Sequence, residues 1–333
     1  MITASLFNPC PKRAKAFDQI LRDQVASSLE YLFEVTQEHL NISQDRMTEK
    51  LIQLRKKPAL PEVIAAYHEL VGAIQEGDLD QAEALFEIIL NSIGEDISFQ
   101  IIPLKDPKDD KISDFYLTQI SADSSTPFTA FPAKPANYEK AEGFIYEALR
   151  LMSEACPDLH DEISTLLKRV MLAAGPTEKG AFTFDGASAF GLWGAIMLNA
   201  NEPKDVVDMV QTLAHESCHN LLFGYCIDGE LVINSEDELH ASPLRTDPRP
   251  LDGIFHATFV VARMHYSIEQ IAHSPILNDE LRAKIKSECA QRAKNFYDGL
   301  ATLKAHANYT KEGQSLLEAA EAYMNQATNK SSP

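Results

Sequence analysis

The sequence is poor in cysteine, short of basic residues and without any long apolar run. Its five cysteines, Cys10, Cys156, Cys218, Cys226 and Cys289, are odd in number and share no Cys-x-x-Cys spacing. That argues against a disulfide framework and against a thiolate zinc site, and it points to a reducing, cytoplasmic setting. No apolar stretch approaches the roughly 18–20 residues of a membrane span, so no membrane partner is expected. Met1-Ile2-Thr3-Ala4-Ser5 lacks the basic and apolar regions of a secretory signal. Thirty Lys and Arg stand against 49 Asp and Glu, for a formal charge of −19. A general nucleic-acid binder needs clustered cations to release counterions, and no basic stripe is present. An acidic surface instead favours solubility, or capture of a cation or a basic peptide.

What remains is an ordinary globular composition, 45% hydrophobic and 24% charged over 333 residues. That is enough chain for one large domain or two of ordinary size. Residues 11 to about 92 read as helical hairpins. Phe17, Ile20, Leu21, Val25, Leu29, Leu32 and Phe33 recur at helical spacing. Pro61 suits the start of a helix, and Gly77-Asp78 separates that helix from the next. Residues 95–135 change character: Ile97, Phe99 and Ile101 alternate like a strand, and proline-rich loop signals follow. Helices are expected at about 137–155 and 158–173, and short strands at 181–184 and 193–198. Further helices are expected at about 203–223, 251–273, 276–306 and 311–327. The expected fold is mainly α with a small β element (α+β), with the helix of about 203–223, which carries His-Glu-x-x-His, packed beside short strands. Residues 1–135 would form a helical N-terminal portion with a strand and loop segment, a candidate peptide-binding or lid region. Residues 136–333 would form the catalytic portion, the two folding as separate parts or as one compact unit.

The chemistry concentrates in Ala214-His215-Glu216-Ser217-Cys218-His219. This is His-Glu-x-x-His inside a helical pattern. His215 and His219 lie one turn apart, so both imidazoles leave the same helix face and can grip one divalent ion. Glu216 lies beside them, able to reach the ion or a group bound to it. The plainer alternative is a pair of surface histidines next to a helical glutamate.

A working site needs a third ligand. The extended metzincin pattern fails, because Leu222 and Tyr225 stand where it needs Gly and His. A thermolysin-like site would use Glu236 or Glu238. The other candidate is His256, set in the apolar stretch Ile254-Phe255-His256-Ala257-Thr258-Phe259, where a buried imidazole needs a partner. A hydrogen-bonded core histidine is the competing explanation. Between these segments, Ser242-Pro243-Leu244-Arg245-Thr246-Asp247-Pro248-Arg249-Pro250 is stiffened by three prolines. Arg245 or Arg249 on such a loop suits a bidentate clamp on a carboxylate, or a surface salt bridge.

In this combination the chain resembles the HExxH-motif peptide-modifying proteins, the 2-oxoglutarate-dependent HExxH-type peptide β-hydroxylases of ribosomal peptide natural-product pathways. Three blocks carry the resemblance: Phe190-Gly191-Leu192-Trp193-Gly194, His215-Glu216-x-x-His219, and Ser242 to His256. The family often has an aromatic where this chain has His240 or Ala241, and a tryptophan at the place of Leu244. The resemblance implies an iron(II) oxygenase that uses 2-oxoglutarate and O2 to hydroxylate a side-chain β-carbon of a ribosomal precursor peptide. His215, His219 and His256 would hold the metal. Arg245 or Arg249 would anchor 2-oxoglutarate, and Glu216 would act in catalysis or orient a ligand. A Zn(II) metallopeptidase with Glu216 as general base is the main alternative, and a non-enzymatic peptide-binding protein is the second. Oligomeric state is not legible.

Overall fold

The computed structural model describes residues 6–95, 97–123, 128–177, 183–242 and 248–330. The protein is mainly α with a small β element. Its internal contacts gather into two compact units. A sheet unit comprises Lys12–Glu142 and Ser164–Pro203; a histidine unit comprises the segment ending at Pro11, Gly143–Ile163, and the chain from Lys204 onward.

The sheet unit opens with four helices: α1 (Pro11–Thr36), α2 (Gln44–Lys56), α3 (Pro61–Glu76) and α4 (Leu79–Ser92). Local chemistry sets their ends. Ser43 caps α2 by accepting from the Arg46 amide, and Asp78 caps α4 by accepting from Gln81. Pro61 occupies the first turn of α3, and Gly77 ends that helix. Then come β1 (Gln100–Pro103), α5 (Lys111–Asp123) and β2 (Phe131–Pro132). Two further helices, α6 (Pro135–Ala155) and α7 (Pro157–Leu166), precede β3 (Arg169–Ala174), β4 (Gly186–Ala187) and β5 (Ala195–Asn199). The sheet order is β1-β3-β5-β4. β1, β3 and β5 run parallel, β4 pairs antiparallel with β5, and β2 pairs antiparallel with the end of β3.

Gly194 sets the register between the two central strands. Its φ of 84° lies in the left-handed region, where a side chain is strained. From there its carbonyl accepts from the Lys168 and Arg169 amides at 2.7 and 3.2 Å. The neighbouring Trp193 indole donates to Asp18 Oδ1 at 3.2 Å. The Phe-Gly-Leu-Trp-Gly motif is thus a turn that launches β5.

Four sequence expectations differ from the structure. The helix expected over 158–173 ends at Leu166, and residues 169–174 form β3. Val170, Met171, Leu172 and Ala173 are all buried, and a strand buried on both faces carries no alternation to betray it. The stretch after Pro103, read as loop, contains α5, whose Phe115, Tyr116 and Ile120 are buried at helical spacing. The strand read over 97–101 begins at Gln100. Of the strand expected at 181–184, Ala181 and Phe182 lie outside the described residues, and Thr183 and Phe184 belong to no strand.

The histidine unit contains most of α6 and α7, then α8 (Val206–Tyr225), β6 (Leu239–His240) and β7 (Arg249–Pro250). It ends with α9 (Leu251–Ile271), α10 (Asp279–His306) and α11 (Lys311–Lys330). α9 is the hub, packed against α8, α10 and α11. Near its middle, Arg263 is 1% exposed and donates to Glu162 Oε1 at 2.9 Å; the other Glu162 oxygen accepts from the Cys10 amide at 2.6 Å. Among the described residues, no helix is long and apolar enough to cross a membrane.

Candidate metal centre

Helix α8 carries the HExxH residues, and its start is firmly built. Asp205 caps it, accepting from the amides of Val207 at 2.9 Å and Asp208 at 3.0 Å. Lys284 of α10 bridges Asp205, at 2.7 Å, and Asp208. Burial works against the Asp205 carboxylate, but the Lys284 ammonium and the two amides outweigh it and hold its pKa below the usual value. A depressed folded pKa stabilises the fold above the unfolded value, about 3.9, and that stabilisation is lost as pH falls through the lower folded value. Asp205→Ala is therefore expected to cost about 1 kcal/mol near neutral pH, the typical loss of such a cap. Thermal unfolding followed from about pH 6 to 3 should show the difference from the parent shrinking toward the acid end. A difference independent of pH would mean the cap contributes no charge-dependent stability.

Leu213, Ala214, Ser217, Cys218 and Leu221 bury the packing side of α8. His215 and His219 stay half-buried on the adjoining face, and their Nε2 atoms stand 3.2 Å apart. That distance suits an N–H···N hydrogen bond between neutral rings. It equally suits two neighbouring ligands on one ion with bonds of about 2.0–2.1 Å. Glu216 is 4% exposed, with Oε1 3.8 Å from His215 Nε2. His256 enters from α9. Its ring centroid lies 5.9 Å from that of His219 with planes 24° apart, and its Nε2 is buried.

Two neighbours that sequence reasoning missed complete the cluster. The Phe223 ring lies 6.4 Å from His219 and 6.2 Å from His256, covering both imidazoles from one side. Asp252 Oδ2 is 3.9 Å from His256 Nε2. The signals were present: Phe223 follows His219, and His256 follows Asp252, by four residues on their helices.

The other candidates divide. Arg249 sits in β7, paired in register with His240 and just ahead of α9, half-buried. Arg245 lies outside the described residues. Glu236 and Glu238 are exposed, and Glu238 accepts from Asn234 at 2.9 Å. Among the described residues, no group of three or more His, Cys, Asp or Glu side chains is gathered closely enough to hold an ion. The α8 imidazoles therefore fit a metal as a pair, and a third donor has to close on them. Cysteine chemistry is disfavoured: all five thiols are free, and burial pushes those of Cys156, Cys226 and Cys289 up to about 12.

No protein-family model matches the chain, and no curated protein matches it either. The functional reading therefore rests on these residues and on the motif blocks they belong to.

Proposed function

We propose that the protein is an iron(II)- and 2-oxoglutarate-dependent oxygenase that hydroxylates a side-chain β-carbon of a ribosomally made peptide. The observation that supports the reading is the His215–His219 pair on α8, with the His256 ring of α9 5.9 Å from that of His219 and Arg249 just ahead of α9. When bound, iron, 2-oxoglutarate and O2 would supply the oxidation, with one oxygen atom going to the peptide and the other to succinate. The protein's share is placement. His215 and His219 offer a preset pair of nitrogens, and His256 is the third donor, its ring beside His219. Asp252 places a carboxylate 3.9 Å from His256 Nε2, the kind of neighbour that can tune a ligand. Phe223 keeps water from one side of the cluster. Arg249 or Arg245 supplies the cation for the far carboxylate of 2-oxoglutarate. Five cysteines outside any disulfide, two of them buried, fit a reducing, cytoplasmic setting.

One observation favours the zinc-peptidase alternative. The Glu216 carboxylate lies close to His215 Nε2, where a general base for a metal-bound water would stand. Against it, Glu236 and Glu238, the acidic third ligands it would use, are exposed.

Anaerobic optical titration of iron(II)-loaded protein with 2-oxoglutarate separates the two. The expected result is a visible metal-to-ligand charge-transfer band that is lost in Arg249→Ala or Arg245→Ala while iron is retained. Absence of the band, with tight zinc retention and peptide cleavage abolished by Glu216→Gln, would replace the oxygenase with a peptidase.

A further inference from the structure

A cavity of about 280 Å³ lies where the first turns of α3 and α5 meet the start of β3. Its described lining residues all belong to the sheet unit. Glu62 enters from α3, Lys111 from the first residue of α5 and Arg169 from the first residue of β3. Ile88 of α4, with Ile112 and Phe115 of α5, gives the cavity an apolar side. The volume falls just under the roughly 300 Å³ at which drug-sized sites begin, so it suits a solute smaller than a nucleotide.

The charged side is built on one buried ion pair. Arg169 Nη1 donates to Glu62 Oε1 at 2.5 Å, and the two side chains are 11% and 5% exposed. That bond leaves much of both groups unused. Glu62 Oε2, Arg169 Nε and the Tyr116 hydroxyl are buried and meet no hydrogen-bond partner among the described residues. Tyr116, on α5, lies near enough for both charges to act on it. Burial and then the Glu62 carboxylate push its pKa up, against the pull of Arg169. Buried polar atoms are nearly always paired, so three orphans in one cluster call for an explanation. Burial also raises the Glu62 pKa, and Arg169 offsets only part of that rise. A carboxylate so placed gains from a second cation.

The orphans have two kinds of need. Glu62 Oε2 awaits a donor, and Arg169 Nε awaits an acceptor. Lys111 adds a half-exposed ammonium beside them. It is held by Glu69 at 3.0 Å and Asp114 at 2.9 Å, 4.5 Å above the Phe115 ring. An ammonium has three donors, so one is left for a guest. A guest that carries both an ammonium and a carboxylate meets both needs. An apolar body on the same guest covers the isoleucine side.

We infer that this cavity binds a free α-amino acid with an apolar side chain. Its ammonium meets Glu62, its carboxylate meets Arg169 and Lys111, and its side chain lies against Ile88, Ile112 and Phe115. Recognition here needs neither metal nor turnover, so it is measured independently of the oxygenase reading.

Calorimetric titration of the full chain with leucine, methionine and phenylalanine tests it. Isocaproate, which lacks the ammonium, and isoamylamine, which lacks the carboxylate, are the controls. Saturable binding of at least one amino acid is expected, with both controls at least tenfold weaker. Glu62→Gln keeps the shape and removes the charge, and should raise the Kd at least tenfold. Lys111→Gln should raise it several-fold, whereas His215→Ala should leave it unchanged. If Glu62→Gln loses its helical signal, Lys111→Gln carries the test, because its side chain is 44% exposed. The inference is overturned if none of the three amino acids saturates, which would leave the orphan atoms to trapped water. It is overturned equally if isoamylamine binds as tightly as the best amino acid, which would make this a plain cation site. Substitutions that fold and leave the Kd unchanged would also overturn it.

Discussion

Replacing His219 with alanine is expected to abolish stoichiometric binding of a divalent metal and leave the fold intact. His219 is the shared member of the cluster, with its Nε2 3.2 Å from that of His215 and its ring against both His256 and Phe223. Losing a partner that merely orients a ligand costs roughly 10–100-fold in metal affinity, and losing a ligand should cost more than that. Asp252→Asn, which perturbs only the neighbour of His256, should stay within that smaller range. The fold should survive because α8 is held by its packing side, through Leu213, Ala214, Ser217 and Leu221. Metal content after dialysis, read beside the thermal unfolding midpoint, checks both halves. Because the two histidines act as a pair, replacing His215 as well should add little to the loss from His219 alone. Full metal occupancy in His219→Ala would reduce the pair to a hydrogen bond between two surface imidazoles.

The largest loss of stability is expected from Glu162→Ala. Glu162 holds one end of Arg263, and their side chains are 3% and 1% exposed. Removing the carboxylate leaves a guanidinium sealed in the core, and breaking a buried pair this way costs about 3–5 kcal/mol. The Cys10 amide loses its acceptor in the same step. At roughly 2–4 °C per kcal/mol for a chain of this class, the midpoint should fall by about 10 °C. Removing both charges with apolar residues of similar volume, Glu162→Leu with Arg263→Met, should destabilise far less, since two desolvated charges disappear together. Chemical denaturation of the parent and the two variants gives the comparison. A single variant no worse than the double would mean that water or another group already solvates Arg263.

The elements were legible where one physical rule governed them and illegible where two rules competed. α8 and α9 read clearly, because an apolar stripe at helical spacing fixes both their type and the face they bury. β3 did not, because its apolar run follows a helix directly and looks like that helix continuing. α5 was hidden by the proline- and aspartate-rich turn before it, although Phe115, Tyr116 and Ile120 carry its period. In the site, His215 and His219 followed from spacing alone. His256 needed the motif blocks, because an isolated histidine in an apolar helix has no spacing to interpret. A cavity at the carboxyl ends of β3 and β5 was invisible in the sequence. Its lining residues Lys134, Gly175 and Asn201 are far apart in the chain, and the pairing of β2 and β5 with β3 brings them together.

The interleaving of the two units governs how the molecule can be made and cut. A chain severed between residues 135 and 136 would carry β3 and β5 on one fragment and leave β1, the parallel neighbour of β3, on the other. The fragment with the histidines would expose one flank of β3, an unpaired edge that invites association with other chains. During synthesis the order runs the other way. The sheet unit is finished once β5 emerges, whereas α9 must wait for α10 and α11 before its apolar surface is covered. All strands of the sheet unit thus precede α8 and α9 in the chain. An ion bound at His215 and His219 would therefore arrive only after the strands of the sheet are in place.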